Sequence, residues 1–309
     1  MFEAQALKKL FLIPVLCLFI QESFGQSFFE PADSLNKKRA IGVSAVNTSL
    51  WAGTIISLNY VWYQDFEKSK FHTFNDGHEW LQMDKVGHAL TSWNFARVAG
   101  GLYEWSGVEH KKAALIGTAF SVGYMTTFEF LDAYNVDWGF SWYDIGANTA
   151  GSLLYFGQEY FWNDQKFKLK FSFHNSGLAQ HRPNVLGSDF PSRTLKDYNG
   201  QTYWLSFNPI SSFKTDSKIP KWINLSLGYS VNDQLIGDGG TYIIQQANGD
   251  QLTFEPYRQW FLSFDIDFEK IPVKSKALKV LFRTINIVKV PFPALELSRG
   301  KLKLNPLYF

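Results

Sequence analysis

An α+β chain is what the sequence predicts: an N-terminal bundle of about four helices, membrane-associated or membrane-spanning, followed by an antiparallel β region that forms a small sheet or an incomplete barrel. Two observations predict it. Apolar and small residues recur at helical spacing from about residue 40 to 163, and after Trp162 the repeat shortens from about 3.6 residues to two. A third feature bears on function. Within the helical half, MDKVGHALTSW (83–93) sets Asp84 and His88 four residues apart, on one helical face beside Lys85.

The N-terminus is an address. Lys8 and Lys9 precede the apolar run LFLIPVLCLFI, and SFG supplies small residues before Gln26, so residues 1–25 read as a cleaved signal peptide. Cys17, the single cysteine of the 309 residues, leaves with that peptide. No disulfide or thiol chemistry is then expected. A lipid-attachment signal would need small residues just before Cys17, where PVLC has Val and Leu. The formal charge of +2 excludes bulk nucleic-acid binding and makes any basic patch local.

Residues 26–163 form the helical domain. AIGVSAVNTSLWAGTIISLNYVWY (40–63) carries no charge over a membrane-spanning length. Helices follow from Asp84 to about Trp105, from about Lys111 to Tyr134, and from about Trp142 to Trp162. Gly100, Gly117, Ala147 and Gly151 recur on them, and such residues let helix backbones approach closely. The charges Asp84, Lys85, His88 and Arg97 must face inward if lipid surrounds the second helix.

Residues 164–309 form the β region. KFKLKFSF (166–173), YWLSF, INLSLGY and WFLSFDIDF alternate as strands, and Asn248-Gly249 marks a hairpin between TYIIQQ and LTF. GDGG (237–240) and 181–193 read as loops. In the closing KLKLNPLYF, Pro306 is expected to interrupt a final strand. Nine Lys or Arg residues against Glu296 alone lie between Lys270 and Lys303, and SKALKVLFRTINIVKV predicts a basic amphipathic helix near 275–290. Leu278, Leu281, Ile285 and Val288 make its apolar stripe, and Lys279, Arg283 and Lys289 lie on other faces. Such a helix suits either an anionic membrane surface or ordinary domain packing.

Two further motifs accompany DKVGH. FEFLDAY places Glu129 and Asp132 at i, i+3, and GFSWYDIGANTAG places Asp144 and Asn148 at i, i+4 with Gly151 beyond. If these faces converge, Asp84, Lys85, His88, Glu129, Asp132, Asp144 and Asn148 surround one polar centre, the expected ligand-binding set. Ser141 would cap the fourth helix, with Asp144 closing an S-x-x-D capping box. Such a centre suits a buried packing network that holds a lipid or anionic head group; alternatively, His88, Glu129 and Asp144 are the candidate catalytic residues of an enzyme acting on an envelope lipid or glycan. No standard catalytic, phosphate-binding or dinucleotide motif occurs, and neither a cofactor nor a metal is assigned.

DKVGH, E-x-x-D and G-F-S-W-Y-D-x-x-x-N-x-x-G, in that order over roughly residues 80–163, resemble the predicted periplasmic lipoproteins of unknown function, distantly similar to VanZ-like envelope proteins. RQWFLSFDIDF, the basic stretch and the final LYF resemble an extended form found in Bacteroidetes-type bacteria. The resemblance implies an exported envelope protein and no established reaction. With the signal peptide and the final strand, it leads us to expect a periplasmic, membrane-associated chain whose partner is a membrane lipid or anionic envelope component, at the outer membrane rather than the inner.

Overall fold

In the computed structural model, which describes residues 28–61, 67–209, 220–246 and 248–309, helices come first and strands follow, as the change of period predicts. The signal peptide expected at 1–25 lies outside the described residues. The chain divides into a short unit, Met1–Glu30, and a body, Pro31–Phe309, that holds the described helices and strands.

Helix α1 (Lys37–Val61) leans on the bundle through few contacts. Ser44 Oγ lies 2.9 Å from Tyr103 OH, and Trp51 Nε1 donates to Thr127 Oγ1 at 3.3 Å. Its Ile41, Val46, Leu50 and Ile56 are exposed. Helices α2 (Met83–Trp105), α3 (His110–Asp132) and α4 (Trp142–Trp162) pack together far more closely. Small residues make that possible: a Cβ on Gly117 would lie 2.4 Å from Ala96 O, and one on Gly151 only 2.1 Å from Ala89 O. Ser121 Oγ donates to Ser92 O at 2.7 Å across the gap, and Ser152 Oγ donates to Ser121 Oγ at 3.0 Å. Among the described residues, two helices, Lys37–Ser57 within α1 and His110–Asp132, are long and apolar enough to cross a membrane.

The entry to α2 is strained. Trp80, Leu81 and Gln82, in the 3-10 turn Glu79–Gln82, all have left-handed backbone, which side-chain-bearing residues rarely adopt. Long-range contacts hold it: Trp80 N–H donates to Gly237 O at 2.7 Å, Tyr229 OH donates to Leu81 O, and Arg258 Nη2 donates to Gln82 Oε1 at 2.7 Å. The β region therefore aims the first turn of α2, which carries Asp84, Lys85 and His88.

Strands β1 (Phe167–Phe173), β2 (Gln201–Phe207), β3 (Ile223–Asn232), β6 (Tyr257–Ile266), β7 (Phe292–Ser298) and β8 (Lys301–Tyr308) form one antiparallel sheet in that order. It is open, with β1 and β8 at its edges, so the described strands close no barrel. Strands β4 (Tyr242–Gln245) and β5 (Gln251–Phe254) make a separate hairpin across Asn248-Gly249, where Gly249 takes positive φ. Pro306 does not interrupt β8. The register shifts between Phe292 and Ala294, so Pro306 and Leu307 face Pro293 at a bulge, where a missing N–H costs nothing on an edge strand.

Two other expectations change. The stretch 181–193 is helical in part: α5 (Pro183–Leu186) and α6 (Phe190–Lys196), whose Asp189–Ser192 capping box supplies the partners that its polar residues lack as a loop. The basic helix, α7 (Lys276–Ile285), stops short of the expected 290. Beyond it the backbone bridges to β1, with Phe171 N–H donating to Ile287 O at 2.8 Å and Lys289 N–H to Phe171 O at 2.9 Å. That bridge breaks the expected stripe at Val288 and buries Lys289.

The sheet exposes a row of leucines beyond β1 and buries charged pairs on the other side. One row across all six strands reads Leu169, Leu205, Leu227, Leu262, Leu295, Leu304, each paired with the next. Leu169 packs with α2 residues, but Leu227 is 48% and Leu304 66% exposed. The opposite face is buried, with Trp204, Phe261 and Ala294 clustered at Tyr308 and polar pairs beside them. There Lys170 Nζ pairs with Asp265 Oδ2 at 2.7 Å, both fully buried, and Lys168 Nζ pairs with Asp267 Oδ1 at 2.7 Å. Asn286 Nδ2 donates to Asp267 Oδ1 at 2.9 Å and Lys289 Nζ donates to Ser263 Oγ at 3.2 Å, so the segment after β6 closes over this face.

Candidate functional site

The first turns of α2 and α4, the last turn of α3 and the loop before α2 meet at one point. Lys85 Nζ is its hub, 2.7 Å from Asp76 Oδ2, 2.8 Å from Asp84 Oδ2 and 2.8 Å from Asp144 Oδ1. Three carboxylates saturate the three ammonium donors. His88 sits beside it, with Nε2 3.7 Å from both Asp84 Oδ1 and Asp144 Oδ1. On its other side Nδ1 lies 3.1 Å from Asn148 Oδ1 and 3.7 Å from Glu129 Oε1. Tyr198 OH donates to Asp84 Oδ1 at 2.9 Å.

Asp84, Lys85, His88, Glu129, Asp144 and Asn148 thus come together. Asp132, half-buried on α3, acts on Glu129 through its charge. The capping box expected at α4 is divided among other residues. Ser141 Oγ accepts from Asp144 N–H at 3.1 Å and itself donates to Asp76 Oδ1 at 2.5 Å. The returning contact comes from Glu129, whose carboxyl accepts the Ser141 backbone N–H, while the Asp144 carboxylate turns to Lys85. Asp76 and Tyr198 escaped the sequence reading. Neither lies on a periodic helical face with the rest, and only the tertiary fold brings Tyr198, 114 residues away, to Asp84.

The charges shift one another in opposite directions. Burial pushes the Glu129 carboxyl up, Asp144 adds to it, and it rests at about 8. Burial also raises Asp144, helped by the charge of Asp84. At Asp84 burial is outweighed by His88 and Lys85, which pull it below the usual carboxylate range. Burial works against the charged forms of Lys85 and His88, yet the surrounding carboxylates hold both protons above their ordinary strength. At neutral pH, Glu129 is protonated, and the neighbouring carboxylates strengthen the hold of His88 on its proton. Asp76, Asp84 and Asp144 facing Lys85 and His88 then leave no net positive charge.

Asp84, His88 and Asp144 could offer ligand atoms within 4.8 Å of one another. The Lys85 ammonium already lies between the two carboxylates, so a divalent ion would have to displace it. Beyond His88 opens a cleft of about 380 Å³, with Asp84, His88, Thr91, Thr194 and Tyr198 at polar positions and Leu90, Met125, Phe171, Leu195 and Val288 among its apolar walls.

The pH dependence follows with a definite sign. Glu129 holds its proton to about pH 8 in the folded chain but only to about 4.5 when unfolded, so the folded state binds more protons between those values. Stability therefore falls as pH rises through that window, and the raised His88 contributes in the same direction. Thermal unfolding followed from pH 5 to 8 is expected to show this fall in the wild type. Glu129→Gln, which keeps an acceptor for the Ser141 N–H, is expected to flatten it; an unchanged slope would refute the assignment.

These features define a polar-centred helical bundle joined to an antiparallel sheet with an exposed row of leucines. Residues 72–156 match the family described as "Predicted periplasmic lipoprotein (DUF2279)", a segment that contains every charged member of the centre. The match fits an exported, periplasmic protein of uncharacterised function. No curated protein and no solved structure matches the chain.

Proposed function

We propose that this chain is a membrane-seated protein of the bacterial envelope that holds the polar head of a membrane lipid at the Asp84–Lys85–His88 centre. Support for the seating comes from the sheet. Polar-in, apolar-out alternation is how strands meet hydrocarbon in the outer membrane, and this favours that membrane over the inner. The exposed apolar residues of α1 and the distant likeness to VanZ-like envelope proteins, in an extended Bacteroidetes-type form, belong to the same reading.

The observation that carries the head-group role is the cleft with His88 and Asp84 at one end and apolar walls beyond, the shape of a site for an amphiphile. Because the centre carries no net positive charge, it suits a hydroxyl- or amine-bearing head better than a bare phosphate. Acid–base catalysis is less well served. His88 engages Nδ1 with Asn148, and the carboxylates around Nε2 strengthen its hold on a proton, which disfavours it as a base.

Mass spectrometry of lipids that copurify with the full chain tests the role. The wild type is expected to carry one lipid class enriched over the bulk membrane extract, and Leu195→Asp with Val288→Asp, which put charge at the exposed mouth of the cleft, are expected to lose it. No enrichment in the wild type, or enrichment indifferent to both substitutions, would sink the reading.

A further inference from the structure

A second cleft, of about 740 Å³, lies between α7 (Lys276–Ile285) and the turn 268–274, remote in chemistry from the acidic centre. Its lining brings together Lys270, Lys274, Lys279 and Arg283, with Glu269 the single acid. That acid is neutralised from behind. Glu269 Oε1 pairs with the buried Arg97 at 2.7 Å, and Oε2 lies 3.6 Å from the buried Lys168. Lys270 is bound to Asp164, at 2.8 and 2.9 Å. Lys274, Lys279 and Arg283 make no ion pair with any described residue.

Arg283 is held in place from two sides. Its backbone O accepts from Arg97 Nη2 at 3.1 Å, and its guanidinium lies over Gly101, where a Cβ would be 2.5 Å from Nη2. The floor is apolar, formed by Phe268 and Phe282 with ring centroids 5.7 Å apart. Alongside, α7 buries none of its residues and exposes Val280 and Leu281. Lys274 and Lys279 without ion-pair partners, with Arg283 beside them, over an aromatic floor and on a helix that exposes Val280 and Leu281, complement an anion that arrives with a hydrocarbon tail.

We infer that this cleft binds the phosphate of an anionic membrane lipid, with Lys274, Lys279 and Arg283 as its partners and α7 lying at the head-group level of the bilayer. The inference rests on the reading that the chain sits on a membrane, and adds to it a preference for anionic lipid. It is separate from the head-group site at His88: one cleft is basic, the other is not.

Vesicle flotation of the full chain separates the two ideas. The probes are vesicles of a zwitterionic phosphatidylcholine, alone or mixed with anionic phosphatidylglycerol. The wild type is expected to float with both and to bind the anionic vesicles more tightly. Lys274→Gln with Lys279→Gln, both exposed positions, is expected to weaken anionic binding by roughly 25-fold, at about fivefold per basic residue. Binding to the neutral vesicles is expected to stay unchanged. Equal affinity of the wild type for the two vesicles, or a preference that survives the double substitution, would overturn the cleft assignment and leave the seating intact. Failure to float with either vesicle would overturn both.

Discussion

Lys85→Met is expected to destabilise the folded chain by about 3–5 kcal/mol, the cost of removing one partner from a buried charge network. The reason is local. Asp76, Asp84 and Asp144 are each held within 2.8 Å of the same ammonium, and without it three carboxylates face one another with only His88 as a cation among them. They come from the loop before α2, from α2 and from α4, so their repulsion acts on the junction that positions the helices. Two readouts identify the mechanism. Stability of the variant should recover as pH is lowered, because protonated carboxyls no longer repel, and Asp144→Asn in the Lys85→Met background should restore part of the loss. A double-mutant cycle that shows no coupling between Lys85 and Asp144 would remove Lys85 from the hub.

Much of this centre could be read in the sequence because its members lie at helical spacing. Asp84 and His88 share one face, Asp144 and Asn148 another, and the small residues at Gly117 and Gly151 already required the close crossings that bring those faces together. Asp76 and Tyr198 could not be read so, since each reaches the centre from a non-periodic segment placed by long-range contacts. The α4 cap shows a finer limit. S-x-x-D is the local signature of a capping box, but Lys85 competes for the Asp144 carboxylate and Glu129 takes its place on the Ser141 N–H. A local rule gave way to a stronger tertiary ion pair.

The strands were legible as strands by their period of two, but the period alone does not say which parity faces inward. In KFKLKFSF a soluble protein would bury the Phe and Leu residues and expose the lysines. Here Lys168 and Lys170 are buried, because Asp265 and Asp267, nearly a hundred residues later, lie across from them on the same face. WFLSFDIDF contains those acids at alternate positions, so the complementary pattern was present, though unpaired in sequence. The basic helix was overextended for a related reason: Val288 and Lys289 fit a helical stripe, yet a bridge to Phe171 offers their backbone a strand partner instead.

Lys170→Met tests that buried face directly and is expected to cost about 3–5 kcal/mol. Asp265 would keep Ser206 Oγ at 2.8 Å and Val290 N–H at 3.3 Å, but it would lose the fully buried cation at 2.7 Å. Lys170 also donates to Ile266 O at 2.7 Å, so the substitution leaves that carbonyl short of a partner. Asp265→Leu combined with Lys170→Met removes both charges and is expected to recover most of the loss, since replacing a buried pair by apolar residues is often neutral. The contrast lies on the outer face. Leu304→Lys places a charge in the exposed leucine row; in water it should leave unfolding unchanged, whereas the proposed membrane seating has it lower stability in a lipid bilayer, where the row would meet hydrocarbon. Denaturation of both variants in detergent and in lipid discs separates the buried ion pairs from the exposed leucine row, and a Lys170→Met variant as stable as the wild type would show that the pair contributes nothing to the fold.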